Sequence, residues 1–422
     1  MKNSARAGLP AALLVVGIVA GPSVLPATAA PAPATTHAAV SLPATAHAPA
    51  LLPATAHAPA LLPAATVSEP APDAPRAALE AAIAGLPTDD ATAALVRVGG
   101  REGVWRGSSG VHDLRSDRPA DPDARFRAGS VTKVFTAAVA LQLAAEGKLD
   151  LDRGARSYLP DLIPASYAGV TVRQLLNHTH GIPAPDFPGT TVEEAYANRF
   201  RIHDPEDMVR SATSKEREFA PGESQHYLNI GYTITGLLIE RVTGDSYERQ
   251  VARRVLKPLG LSGTWFPGTN PRIVGTHNHG YQRMRLDDGT TGLRDVSVWG
   301  ATDAWAAGDI VSTTADLERF TQELFAGRVV GGPLLEEMFT LPEVADFRTG
   351  KPAAYSVGLS MKVLGGREVW GKTGGRWGYN AAVAATRDGS RTLVYSVNAT
   401  DAKGQDMNKV AESLMVAAFG RP

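Results

Sequence analysis

Strand-like segments of this 422-residue chain fall near its two ends, and helix-like segments fill its middle. Near the start, Ala94–Val98 and Gly103–Gly107 read as strands on either side of a Gly99-Gly100 turn. Near the end, Ser356–Val363, Glu368–Gly371, Ala381–Thr386 and Arg391–Asn398 are short, apolar and turn-bounded, with Arg387-Asp-Gly-Ser390 as a hairpin turn. From roughly 150 to 345 the pattern is helical with long loops, clearest at Thr233–Val242 and Thr314–Gly327. The simplest packing brings both sets of strands into one antiparallel sheet. Helices expected at Arg76–Leu86, Ser130–Glu146 and Asn408–Phe419 then flank it, and the middle becomes a mainly helical lobe. The fold class is therefore α+β, with a cleft between sheet and lobe as the natural place for a site.

The folding unit does not include the whole chain. Residues 1–29 have the form of an export signal: Lys2 and Arg6, an apolar run from Leu9 to about Val24, then Ala27-Thr28-Ala29 as a small-x-small cleavage pattern. The run is broken at Gly21-Pro22 and is too short to span comfortably, since a spanning helix needs about 20 residues. A secreted or extracellular protein, in contact with the cell wall or free of it, and without a stable membrane anchor, is expected. Residues 30–75 form a Pro/Ala-rich linker in which Pro43–Leu52 is repeated unchanged as Pro53–Leu62. Proline removes backbone donors and fixes φ, so a semi-extended spacer is expected there. Residues 76–422 are left as the folding unit, enough for one large or two interlocked domains.

Composition then narrows the chemistry. Lys plus Arg number 42 against 43 Asp plus Glu, a balance that argues against a nucleic-acid partner. There is no cysteine, which removes disulfides, Cys-ligated zinc and cysteine nucleophiles. Any nucleophile must be Ser, Thr, Lys or a carboxylate.

Three short elements answer that requirement. Ser130-Val-Thr-Lys133 opens a strongly apolar helix, and a spacing of three puts Ser130 and Lys133 one turn apart on one face. A buried lysine loses its proton readily and becomes a base for a neighbouring hydroxyl. Tyr227-Leu-Asn229 stands in a loop just before a helix, with tyrosine able to relay a proton and asparagine able to hold an amide. Lys372-Thr-Gly374, followed by Gly375, lies on or beside a late strand and offers a positive charge, a hydroxyl and close backbone approach.

Together, in this order, the elements resemble the signature of the serine β-lactamases and penicillin-binding proteins, Ser-x-x-Lys before Lys-Thr-Gly with a third motif between. Phe126–Lys133, Leu175-Leu-Asn-His-Thr-His-Gly181, Phe219-Ala-Pro-Gly222, Gly231 to Gly244 and Ala307–Thr314 add to the resemblance over residues 88–420. The chain is most similar to secreted actinobacterial D-alanyl-D-alanine carboxypeptidases and to class C β-lactamases. The resemblance implies a serine β-lactamase/DD-peptidase-like fold, no cofactor and no metal. It implies Ser130 as acylated nucleophile, Lys133 as its base and Tyr227 as proton donor to the leaving amine. Asn229 would hold the substrate amide, and Lys372 and Thr373 would face the cleft and the substrate carboxylate. The backbone N–H groups of Ser130 and Gly375, beside Gly374, would form the oxyanion hole. The partners implied are cell-wall peptides or β-lactams, and a monomer is expected.

Three residues depart from the family pattern. Lys372 matches class C enzymes, whereas the carboxypeptidase branch often has His. Gly375 lacks the hydroxyl of many relatives, and Arg376 either compensates for it or is a solvated arginine. Leu228 replaces a small residue, so the loop packs differently or narrows the cleft. His178-Thr-His180 and His277-Asn-His279 have metal-like spacing but no acidic ligand to complete a set. Trp299 and Trp305 stand before the Ala307 turn as cleft or core residues, and no Gly-x-Ser-x-Gly elbow occurs. The expected activity is that of a D-Ala-D-Ala carboxypeptidase that binds penicillin. A β-lactamase, an esterase, a D-amino-acid amidase and a non-catalytic peptidoglycan or penicillin sensor are the alternatives.

Overall fold

In a computed structural model, which describes residues 73–420 apart from residue 405, the two sets of strands meet in one sheet. Strand β1 (Ala91–Gly99) pairs antiparallel with β6 (Thr392–Ala399), Val96 opposite Tyr395 and Val98 opposite Leu393. Four more strands complete it: β2 (Trp105–Gly110), β3 (Ser360–Leu364), β4 (Arg367–Arg376) and β5 (Tyr379–Thr386). The order is β2-β1-β6-β5-β4-β3, antiparallel throughout. The leader, the ten-residue repeats and all of the linker up to residue 72 lie outside the described residues.

Both faces of the sheet are covered, so its strands read as nearly continuous apolar runs. On one face Val96, Val98, Val369, Leu393, Tyr395 and Val397 pack against two helices, α1 (Asp73–Ile83) and α5 (Lys409–Phe419). Helix α1 begins three residues before the expected boundary at residue 76. Asn408 caps α5 by accepting the Val410 and Ala411 N–H groups. On the other face Trp370, Val383, Ala385 and Val394 meet α2 (Thr132–Ala145) and α4 (Thr314–Phe325). There the Phe135 and Phe320 rings stack 3.8 Å apart. Eleven residues of α2 are buried, Lys133 among them.

The segment between the two sets of strands is helical as expected, with α3 (Ile230–Thr243) its longest buried helix. It also contains an unforeseen hairpin, Tyr281–Arg285 against Thr291–Asp295. Its turn is held by Asp288 Oδ1, which accepts from Thr290 N–H. Among the described residues no helix is long and apolar enough to cross a membrane.

Candidate active site

Strand β4 runs past the end of its neighbour and into the site. Strand β3 pairs with it only from Arg367 to Gly371, whereas β5 accompanies it to Arg376. Beyond Gly371, β4 therefore has no partner from β3, and this stretch carries Lys372, Thr373, Gly374 and Gly375. Ser130 faces it from a 3₁₀ turn, Gly129–Val131, that leads into α2 rather than from the helix itself. Turn and strand are pressed together. A Cβ on Gly374 would stand 2.0 Å from the Ala128 carbonyl oxygen and 2.9 Å from Ser130 N. One on Gly129, whose φ is +53°, would stand 2.7 Å from Gly375 N. Glycine at both places is what lets the Ser130 and Gly375 amides approach one space.

Lys133 sits in the first turn of α2, wholly buried, with its Nζ 3.2 Å from Ser130 Oγ. The same Nζ donates to Asn229 Oδ1 at 2.7 Å and to the Ala307 carbonyl at 2.8 Å. No carboxylate is among these partners. Burial foremost, then the nearby charges of Lys372 and Lys403, pushes the Lys133 amine well below the usual lysine range. The Ala307 carbonyl is fixed because its segment is stapled to α2. Thr136 Oγ1 donates to Ala306 O at 2.7 Å, and Thr132 Oγ1 accepts from Ile310 N–H at 3.1 Å.

Lys372 is the second buried amine, brought down to about 7 by burial. Its Nζ donates to Thr373 O and lies 4.6 Å from the centre of the Tyr227 ring. Lys133 Nζ lies 5.0 Å from the same ring. The Tyr227 hydroxyl is buried and meets no hydrogen-bond partner. Burial, then Tyr355, drives its pKa well above the usual tyrosine value, and the neighbouring Ser130 hydroxyl offsets this only in part.

Ser130, Lys133, Tyr227, Asn229 and Lys372 are thus brought together, while two of the other candidates are placed differently from expectation. Strand alternation puts Lys372, Gly374 and Arg376 on the α2 face and Thr373 and Gly375 on the other, so Lys372 and Thr373 do not share a face. Arg376 is neither solvated nor available to a ligand: it is buried, bound at 2.8 and 3.0 Å to both carboxylate oxygens of Asp303 and at 2.8 Å to Gly300 O. Burial pulls the Arg376 guanidinium down, but Asp303 more than restores it. Leu228 packs into the core. Trp299 and Trp305 are both buried, the first stacked 5.0 Å from Trp377, the second donating from Nε1 to Glu248.

His178 and His180 do not converge. His178 lies among tyrosine rings, and His180 Nδ1 accepts from the Ile182 N–H. His279 is paired through Nδ1 with Asp295 at 2.6 Å. Among the described residues no group of three or more His, Asp or Glu is arranged to hold a metal ion. Sequence reasoning missed Lys403, whose Nζ donates to Gly375 O at 2.7 Å and whose pKa falls to about 8, through burial first and then Arg376. No local pattern marks it: it reaches the site only because the turn after β6 folds back over β4.

The model of the Beta-lactamase family matches residues 79–414. The structure of a D-stereospecific amidohydrolase from Streptomyces sp. superimposes with a TM-score of 0.68 at 32% identity, covering 81% of this chain and 97% of that one. D-amino acid amidase from Ochrobactrum anthropi SV3 gives a TM-score of 0.67 at 25% identity, over 81% and 96% of the two chains. Penicillin-binding protein 4* of Bacillus subtilis (strain 168) is 26% identical over 334 residues, 76% of this chain and 70% of its own length. Protein flp of Staphylococcus aureus (strain N315) is 29% identical over 216 residues, so that half of this chain matches only 41% of that relative.

Proposed function

The chain belongs to the Beta-lactamase family of serine hydrolases, and from that premise we propose that it is an acyl-enzyme-forming D-Ala-D-Ala carboxypeptidase with Ser130 as nucleophile. The observation that carries the mechanism is the set of partners of Lys133. In its neutral form, which the depressed pKa favours, the amine has two hydrogens and one lone pair. Asn229 Oδ1 and Ala307 O take the hydrogens. The lone pair is left for the hydroxyl 3.2 Å away, so Ser130 Oγ–H donates to it.

Lys133 takes the Ser130 proton as Oγ bonds to the substrate carbonyl carbon. The N–H groups of Ser130 and Gly375 receive the developing oxyanion. Tyr227, kept as a neutral phenol, gives its proton to the leaving nitrogen as the C–N bond breaks. The proton held by Lys133 then restores the phenol. Water adds to the ester carbonyl and frees Ser130. On this reading Asn229, fixed through its Oδ1 by Lys133, donates from Nδ2 to a substrate carbonyl.

Substrate class rests on charge. Lys372 on one face of the strand and Lys403 beside Gly375 on the other make this edge cationic, which suits a leaving group that ends in a carboxylate. A D-amino-acid amidase is the second reading, favoured by the likeness to the Streptomyces amidohydrolase at 32% identity over nearly its whole length. Residues 1–29 we take as an export leader, to be checked by the N-terminus of the protein recovered from the medium.

The test is intact mass after mixing with penicillin, followed by turnover of a D-Ala-D-Ala peptide and of D-phenylalanine amide. A long-lived adduct absent in Ser130→Ala, with release of D-Ala, is the expected result. Turnover of the amide alone replaces the carboxypeptidase with the amidase, and rapid drug hydrolysis replaces it with a β-lactamase. No adduct and no turnover of either substrate overturns the enzyme reading.

A further inference from the structure

The Tyr227 ring is enclosed by other rings and by two amines, Lys133 Nζ at 5.0 Å and Lys372 Nζ at 4.6 Å from its centre. Its hydroxyl is buried without a hydrogen-bond partner, yet a proton donor must be held in its productive position, within hydrogen-bond reach of its target, because a misplacement of about 1 Å can cost about 100-fold in rate. Two rings do the holding. Tyr355 stacks on Tyr227 with centroids 4.6 Å apart and planes 30° apart. His178 lies 4.5 Å from it at 46°.

Both flanking rings hang from one side chain. Gln225 is 1% exposed and stands two residues before Tyr227. Its Nε2 donates to Tyr355 O at 2.8 Å and to the carbonyl of Asn177, the residue before His178, also at 2.8 Å. Its Oε1 accepts from the N–H groups of Ala354 at 2.9 Å and Tyr355 at 3.1 Å. Every donor and acceptor position of the amide is used. A fully satisfied buried amide fixes its surroundings in one arrangement. Here that arrangement ties the loop carrying Tyr227 to the two segments whose rings enclose it. Tyr355 itself is half-buried, and its ring lies 5.7 Å from Lys372 Nζ.

We propose that Tyr355 is a positioning residue that aims the Tyr227 hydroxyl at the leaving group, with Gln225 holding Tyr355 in place. This rests on the reading that Tyr227 protonates the leaving nitrogen. An amine leaves only when protonated, whereas a nitrophenolate leaves unaided. Misaiming Tyr227 must therefore slow amide cleavage and spare an activated ester of the same acyl group.

The experiment compares kcat/KM for a D-alanyl amide and the matching nitrophenyl ester in the full chain and in Tyr355→Leu, Tyr355→Phe and Tyr227→Phe. The amide-to-ester ratio is read within one sample, so partial unfolding of a variant cancels. The expected ratio drops by about 10-fold or more in Tyr355→Leu, a fraction of the 10²–10⁴ that a proton donor contributes. Tyr355→Phe, which keeps the ring, stays within about twofold of the parent by the same reasoning. Tyr227→Phe sets the maximum drop. An unchanged ratio in Tyr355→Leu alongside a fallen ratio in Tyr227→Phe overturns the proposal and leaves Tyr227 in its role. An unchanged ratio in Tyr227→Phe overturns the reading beneath it.

Discussion

Lys372 and Arg376 are buried cations four residues apart on the same face of one strand, and they have opposite fates. Arg376 meets Asp303 in a two-pronged pair, and each holds the other charged. Burial pushes the Asp303 carboxyl up, but Arg376 outweighs it and keeps it below its usual range. Lys372 meets only a backbone carbonyl and aromatic rings, and its pKa falls to about 7. Lys133, equally without a carboxylate, is also pushed well below the usual lysine range, by burial first and then by the charges of Lys372 and Lys403. A buried cation with an acid beside it is held charged as a strut, and a buried lysine without one gives up its proton more readily. The same burial produces both, and the partner decides.

The contrast is open to direct attack. Removing the proposed base gives the largest effect: Lys133→Ala should lower kcat/KM for peptide or amide substrates by about 10³-fold or more, read by steady-state kinetics, with the folded state retained. Breaking the strut comes next. Asp303→Asn strands a buried guanidinium and should cost about 3–5 kcal/mol of stability in denaturant unfolding. Adding Arg376→Met should recover most of that loss, and failure to recover would mean that the pair is not the source of it.

The smallest effect belongs to Lys372. Lys372→Met should be neutral or stabilising, by at most about 1–4 kcal/mol, because it removes an unpaired buried charge. Its pH dependence has a definite sign. The folded pKa of about 7 lies below the ordinary 10.5, so the unfolded chain binds more protons between them. Stability should rise with pH across that window, and the rise should be shallower in Lys372→Met. Over the same rise through about 7, kcat/KM for a carboxylate-ended substrate should fall while that for a neutral amide does not.

The parts of the site carried by local pattern were legible before the structure. Ser130 and Lys133 are a turn apart by helical geometry, and an apolar helix leaves its lysine nowhere to be solvated. The end strands were legible because each is short, apolar and punctuated. What escaped is tertiary. Asp303 lies 73 residues from Arg376, and nothing near either predicts their pairing. Gln225 reads as an ordinary loop glutamine until Tyr355, 130 residues on, is placed against it. The opposed faces of Lys372 and Thr373 follow from strand alternation, once the strand is known to run through the motif. The hairpin at 281–295 carried its Asp-Gly turn in plain view. Its strands alternate with arginines instead of a clean apolar face, which hid them.

The pairing of β1 with β6 has a consequence for how the protein is made. The two strands are joined across some three hundred residues, and β4, with its lysine, is flanked by strands from the last part of the chain. A ribosome delivering this chain has released Ser130 and Lys133 long before Lys372. Such non-local closure is slow, and the emerging chain must wait for its end. No shorter nascent piece brings Lys372 against Ser130 and Lys133, so the candidate site is completed only with the final strands.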